Sequence, residues 1–213
     1  MPPVVSIVGK SESGKTTVIE RLVQELRSRG YQVATVKHAP HGTTFDEPGK
    51  DSWRHIKAGS RAAVVSSPDN IVLVKPVPRD SPLEEIVRLL GEDYDIILTE
   101  GFKEGSAPKI EVHHKGTGPL LENIRKRIAI VTGEPLESKA RQFSFADTKN
   151  LADLLERGFI EPQKKRTCLY VNGAPITLTM FPKQIIASVV VAMAACLKGV
   201  REISSLQIFV RKE

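Results

Sequence analysis

Gly9-Lys10-Ser11-Glu12-Ser13-Gly14-Lys15-Thr16 fills the phosphate-loop pattern G-x-x-x-x-G-K-[ST] at every required position. Val4-Val5-Ser6-Ile7-Val8 before it reads as a buried strand, and Thr17 to Arg29 after it carries helical periodicity. Strand, loop and helix in that order let successive backbone N–H groups and a helix N-terminus converge on one anionic site. A chance Gly/Ser turn ahead of a helix is the plainer reading, and the flanking elements weigh against it. Gly9 and Gly14 let the backbone curl close to phosphates, Lys15 is expected to act on the β- and γ-phosphates, and Thr16 to ligate Mg²⁺. Lys10, Ser11, Glu12, Ser13 and Thr17 complete the expected nucleotide-binding set.

Working outward, Val18, Ile19, Leu22, Val23 and Leu26 make one apolar helix face that Gly30 ends. Gln32 to Val36 is a second strand. The polar segment Lys37-His38-Ala39-Pro40-His41-Gly42 leaves its C-terminal end, the side of an open parallel sheet where ligands sit, so Lys37, His38 and His41 become site candidates. No carboxylate or cysteine at matching spacing turns the two histidines into a metal site. Asp46 to His55 crowds charge around Pro48-Gly49 and the single tryptophan, Trp53, and enters a short helix to about Ala58. In nucleotide hydrolases a switch loop occupies this place, which makes Asp46 and Asp51 the catalytic candidates beside Lys15. A capped helix start would explain one of these residues but not the cluster.

Ala62 to Ser66 and Ile71 to Val74, joined through Ser67-Pro68-Asp69-Asn70, read as a hairpin adding an antiparallel edge. A helix from Pro82 to Gly91 follows. Asp95 to Lys103 is a strand bracketed by acids, and since parallel strands aim their C-terminal ends at the nucleotide, Glu100 rather than Asp95 is the expected Mg²⁺ carboxylate. Gly101 would allow a close backbone approach and Lys103 could assist phosphate. Lys109 to His113 and Ile128 to Thr132 are further strands, and Thr132 to Pro135 is the expected nucleoside-base loop. No Asn-Lys-x-Asp motif is present, so residue chemistry leaves the base unread. Asp147 is expected to cap a helix over Thr148 to Arg157 that Gly158 closes.

The charged stretch Glu161 to Arg166 reads as a linker. Cys168 to Val171 and Ile176 to Phe181 flank Asn172-Gly173, a hairpin signal; a helix from Pro182 to about Lys198 and a strand over Leu206 to Val210 complete a ββαβ module. The expected organisation is an α/β domain over 1–162, P-loop NTPase-like with a mostly parallel sheet flanked by helices, and this small module over 163–213. The module's helix is apolar on most sides, which marks it as an interface candidate.

The chain has 213 residues, 40% hydrophobic and 26% charged, which suits globular domains rather than disorder. Its net charge of +6 is scattered, and Arg125-Lys126-Arg127 and Lys164-Lys165-Arg166 lack interleaved aromatics, so no nucleic-acid partner is expected. Ile185 to Leu197 is too short to cross a bilayer, and a cytoplasmic protein without a membrane partner is expected. Cys168 and Cys196 fit neither disulfide nor metal spacing and are expected to be buried.

With these residues in place, residues 4 to 160 resemble molybdopterin-guanine dinucleotide biosynthesis protein B, the MobB family. The resemblance rests on Gly9 to Thr17, on Thr35-Val36-Lys37-His38 with His41-Gly42, on Asp46 with Pro48 to Arg54 and Ala58-Gly59, and on Thr99-Glu100-Gly101-Phe102-Lys103. It implies a GTP-binding, weakly GTP-hydrolysing accessory protein, dimeric, with GTP and Mg²⁺ as cofactors. The implied partners are molybdopterin or molybdenum cofactor, its guanylyltransferase and the molybdenum insertase. Lys10 departs from the aromatic residue often found there and matches the lysine of phosphate loops that act across dimers. The last module lies outside the resemblance. A small-molecule kinase, for which Arg54 or Arg61 could serve as lid arginine, and a nucleotide-switched binding module stay open as alternatives.

Overall fold

The computed structural model describes residues 1–40, 42, 46–163, 167–172, 174–208 and 210, and the chain divides into two units, Met1–Lys164 and Lys165–Glu213. His41, Gly173 and Phe209 lie outside the described residues. The first unit is built on a sheet of six parallel strands in the order β2-β5-β1-β6-β7-β8. These are β1 (Val4–Val8), β2 (Val33–Lys37), β5 (Ile96–Glu100), β6 (Lys109–His113), β7 (Arg127–Thr132) and β8 (Arg141–Phe143). The strands are apolar runs because a parallel sheet is covered on both faces. Val5, Ile7, Ile96, Leu98, Ile110 and Ala129 are fully buried.

Helix α1 (Lys15–Ser28) packs Val18, Ile19, Leu22 and Leu26 into the main core, and α4 (Thr148–Leu155) adds Leu151, Ala152 and Leu155. On the second core cluster, α3 (Leu83–Leu90) sets Leu83 and Val87 against Ala34 and Ile97. Arg29, just past α1, binds this frame together: its guanidinium lies 2.8 Å from Glu25 and 2.6 Å from both Asp153 and Glu156. The Tyr31 hydroxyl donates to Glu156 at 2.6 Å. That hydroxyl and Arg29 together hold the Glu156 carboxyl below the usual carboxylate range.

Three sequence expectations change here. The hairpin of β3 (Ala63–Ser66) and β4 (Ile71–Val74), reached through α2 (Asp51–Lys57), is hydrogen-bonded to neither edge of the six-stranded sheet but forms a ribbon of its own. Neighbouring residues Val64 and Val65, on opposite faces of the ribbon, are both exposed, at 61% and 47%. Gly158 does not stop the helix after α4. Winding continues as a π-type turn over Glu156–Ile160 and a 3₁₀ turn over Glu161–Gln163, because Ile160 is buried and Glu156 is anchored. Asp147 sits at the N-cap position of α4, yet its side chain accepts from Asn150 rather than from the backbone. Strand β8 went unread because three residues are too few for a periodicity.

The second unit contains the antiparallel pair β9 (Leu169–Val171) and β10 (Ala174–Ile176), then α5 (Met180–Ala195). Asn172 takes the left-handed conformation, φ 52°, that a tight hairpin turn demands. Pro182 falls within the first turn of α5, where its missing N–H costs no intrahelical bond. Described residues Leu206 to Ile208 and Val210 form no strand, so the described arrangement is ββα; strands as short as β9 and β10 offer little edge to extend. Cys168 and Cys196 are exposed rather than buried, since no residue of α5 is buried and no core forms around either cysteine. Among the described residues no helix is long and apolar enough to cross a membrane.

The register of β6 sets up the site. Lys109 pairs with Ser6 and Glu111 with Val8, so β6 starts level with the middle of β1 and runs beyond it. Residues 101–108 can therefore connect β5 to β6 without the helix that a parallel crossover usually needs. Alternation puts Lys109, Glu111 and His113 on one face, and all three are buried, at 0%, 2% and 6% exposure. Glu111 lies 2.8 Å from Arg127 Nε, a charge contact rather than a well-aligned hydrogen bond, and accepts from the Leu121 amide at 2.6 Å. The strand expected over Lys109 to His113 thus carries a polar stripe on a buried face.

Candidate functional site

The loop between β1 and α1 is shaped by backbone that side chains would spoil. Gly14, at the N-cap of α1, has φ 92°, and Glu12 has φ 60°. A Cβ on Gly9 would run into the Val112 carbonyl oxygen and come within 2.6 Å of Ser13 Oγ. The chain therefore passes tight against β6 at this point, and only glycine permits it. Ser13 Oγ is buried without a hydrogen-bond partner among the described residues. A hydroxyl so placed, inside a turn of backbone at a helix N-terminus, fits a loop that closes on an anion.

Lys15 Nζ donates to the Lys10 carbonyl at 2.6 Å. Burial holds its ammonium below the usual lysine range; Glu100 opposes that shift, while Lys103 and Lys37 add to it. The Thr16 hydroxyl donates to Glu100 Oε2 at 3.1 Å, and Lys37 Nζ lies 3.9 Å from the same oxygen. Lys15, Thr16, Lys37, Glu100 and Lys103 thus share one locus at the C-terminal ends of β1, β2 and β5. Glu100 is held there from below: the Gly101 amide donates to the Ile7 carbonyl at 3.0 Å, and Thr99 Oγ1 donates to Ser6 Oγ at 2.9 Å inside the sheet. Among the described residues no three His, Cys, Asp or Glu side chains cluster as a metal cage. One hydroxyl and one carboxylate beside a phosphate loop match a small hard cation that keeps waters and takes phosphate oxygens. An open cleft of about 450 Å³ adjoins this pair, lined by Thr16, Ile19, Val23, Val36, Lys37 and Glu100.

The other expected residues lie differently. Asp46 accepts from the Ser52 hydroxyl at 2.8 Å and so steadies the start of α2. Asp51, its side chain 87% exposed, faces Arg54 at 3.6 Å. Neither carboxylate contacts the phosphate loop, Thr16 or Glu100 among the described residues, so the structure does not gather them with Lys15. Trp53 stacks under Lys57, whose ammonium is 5.4 Å from the ring centroid. His38 turns to Asp80 at 2.7 Å and stacks on Phe102 with ring centroids 4.5 Å apart, pinning the end of β2 to the segment that follows Glu100. Asp80 was missed, having no motif around it.

On the opposite flank Lys10 Nζ lies beside Gly118, whose carbonyl is 2.9 Å from His113 Nε2. The Thr132 hydroxyl and the Glu134 backbone bond each other at 3.0 and 3.3 Å, making a closed turn of the expected base loop. Phe145 was also missed: its ring would touch a Cβ on Gly14 at 3.2 Å, and its carbonyl accepts from Arg21 at 2.6 Å. Nothing in the sequence after β8 points back to the phosphate loop.

Residues 4–133 match the family described as "Molybdopterin guanine dinucleotide synthesis protein B". The chain is 33% identical over 156 residues to the molybdopterin-guanine dinucleotide biosynthesis adapter protein of Haemophilus influenzae, covering 72% of this chain and 88% of that one. The adapter protein of the same name from Escherichia coli is 31% identical over 161 residues, covering 73% and 92%. Among solved structures, one titled molybdopterin-guanine biosynthesis protein B superposes with a TM-score of 0.60 at 29% identity, over 73% of this chain and 99% of the other. Bacillus subtilis MobB superposes at 0.58 with 28% identity, over 74% and 98%.

Proposed function

The chain belongs to the molybdopterin guanine dinucleotide synthesis protein B family, and from that premise we propose that it is a GTP-binding, weakly GTP-hydrolysing adapter in the making of molybdopterin guanine dinucleotide. The observation that carries the nucleotide part is the contact of Thr16 Oγ1 with Glu100 Oε2 beside the Lys15 ammonium. In this reading the loop amides from Gly9 to Thr17 bind the phosphates, and Lys15 leaves the Lys10 carbonyl for the β/γ-phosphate oxygens. Thr16 and Glu100 would hold Mg²⁺, which when bound supplies charge to neutralise the phosphate oxygens. Lys37 and Lys103 add positive potential around the γ-phosphate. Weak rather than fast hydrolysis is what the family resemblance implies.

Glu100→Gln tests the metal role. The variant is expected to need at least about tenfold more Mg²⁺ for half-maximal GTP turnover, with GTP affinity in Mg²⁺-free buffer little changed. An unchanged Mg²⁺ titration would remove Glu100 from the site. Transfer of the γ-phosphate to a small acceptor instead of water would favour the kinase reading, for which the cleft beside Thr16 and Glu100 leaves room.

The partners in this proposal are molybdopterin or molybdenum cofactor, its guanylyltransferase and the molybdenum insertase, with the protein acting as a homodimer. The β3–β4 ribbon supports the dimer. Its apolar side chains are exposed on both faces, Val64, Ile71 and Leu73 on one and Val65 and Val72 on the other, and two strands alone are marginal in water. Sedimentation equilibrium at micromolar concentration is expected to give a dimer, and Leu73→Asp a monomer that still binds GTP. A monomeric parent protein would end the proposal.

A further inference from the structure

Residues 101–108, which leave Glu100 and carry Lys103, lack regular structure, yet their carbonyls are not left to solvent. Lys109 Nζ takes the Gly105 and Ala107 carbonyls at 2.5 and 2.9 Å, and Lys126 Nζ takes the Ser106 carbonyl between them at 3.0 Å. Three successive carbonyls are thereby each bound by an ammonium. Lys109 itself has no exposed surface, and among the described residues its Nζ partners are carbonyls, not carboxylates. A buried cation paired only with neutral oxygens is costly, so its presence calls for a return elsewhere in the molecule. The carboxylate on the same face, Glu111, is committed to Arg127 and the Leu121 amide. The other charged groups around the segment are Lys126, Lys103 and Glu104; across the sheet Lys109 meets Ser6, itself bonded to Thr99.

The segment is also strained in the way a held loop is. Gly101 has φ 103° and Phe102, without a glycine's freedom, φ 54°. The Gly105 amide closes a turn on the Phe102 carbonyl at 3.1 Å. Lys103, inside that turn, lies close enough to Lys15 to act on its charge.

We propose that Lys109 is a positioning residue for the nucleotide site, its buried ammonium acting as an internal cation that holds residues 101–108 in the shape that presents Glu100 and Lys103 to the metal and phosphates. The assignment rests on the nucleotide reading above. The anchor is strongest while protonated, because a charged donor holds a carbonyl more tightly than a neutral amine does. Burial, and after it the like charge of Lys126, keep the Lys109 ammonium below the usual lysine range, so its hold weakens as pH rises through that lowered value.

The test uses the full chain with Lys109→Met and Lys109→Arg. In the methionine variant the Mg²⁺ concentration for half-maximal GTP turnover is expected to rise about tenfold, the size seen when groups behind metal ligands are removed, while GTP affinity without Mg²⁺ stays within twofold. Arginine, which can reach the same carbonyls with a permanent charge, is expected to restore most of the loss. Equal Mg²⁺ titrations for methionine variant and parent would overturn the proposal. Should the methionine variant fail to fold, hydrogen exchange of the parent protein decides. Protection of the Gly101 and Gly105 amides, corrected for intrinsic rate, is expected to fall at alkaline pH before that of the sheet, and to persist in Lys109→Arg. Simultaneous loss with the sheet, or the same profile in the arginine variant, would overturn it. A parent protein that binds no GTP would defeat the nucleotide reading and with it the positioning role, whereas the exchange measurement, which needs no nucleotide, judges the anchoring of residues 101–108 separately.

Discussion

Lys15→Ala is expected to cost the protein its GTP affinity, by about a hundredfold or more, with little loss of thermal stability. A charge-assisted hydrogen bond to phosphate is worth roughly 1.5–3 kcal/mol, and this ammonium would supply more than one. Among the described residues its hydrogen bond is to the Lys10 carbonyl within the loop itself, so no other element of the fold hangs on it. Titration calorimetry in Mg²⁺, with a melting curve as control, measures both quantities. A second readout follows from charge. Burial first, then Lys103 and Lys37, hold the Lys15 ammonium below its ordinary range against the pull of Glu100. Phosphates would raise it again. Binding should then take up a proton when the pH lies between the two values, and affinity should fall as pH rises through that window. Calorimetry in buffers of different ionisation enthalpy should detect this uptake in the parent and not in Lys15→Ala. Undiminished GTP binding by the variant would remove the phosphate-site assignment.

Gly9→Ala is the second large effect. The added methyl meets the Val112 carbonyl, which cannot yield because Val112 is paired within the sheet to Val131, and it meets Ser13 Oγ as well. The backbone at φ 155° disfavours a side chain in its own right. The loop must lift away from β6, with an expected stability loss of about 1–3 kcal/mol and GTP affinity reduced by more than tenfold. Gly158→Ala, away from the phosphate loop, is the matched control: a Cβ there meets nothing within 4 Å, and neither stability nor binding should move. Equal behaviour of the two variants would show that the loop tolerates displacement.

What the sequence made legible follows from where its constraints are local. The phosphate loop, the helix after it and Glu100 at a strand end could be placed because glycine geometry, helical period and strand direction each act over a few residues. Thr16 and Glu100, expected from the sequence to share a metal, stand in hydrogen-bond contact. The partners of His38 were not, because Asp80 reaches it from a distant connection without a motif. Asp46 and Asp51 were singled out by charge density, and their observed partners, Ser52 and Arg54, are the near neighbours that such density equally supplies. Lys109 was passed over for a different reason. A lysine that opens a short strand looks like the solvated end of that strand, and only the stagger of β6 against β1 shows it to be interior.

The β3–β4 ribbon carries a consequence for the life of the newly made chain. Its outer strand edges are open and its valines, isoleucine and leucine face water on both sides, the combination that templates indiscriminate strand pairing. A lone copy is therefore in a race between the correct cover and the edge of any other ribbon it meets. Both routes quicken with concentration, so yield from rapid overexpression should reflect how soon cover is found more than how well the six-stranded sheet folds.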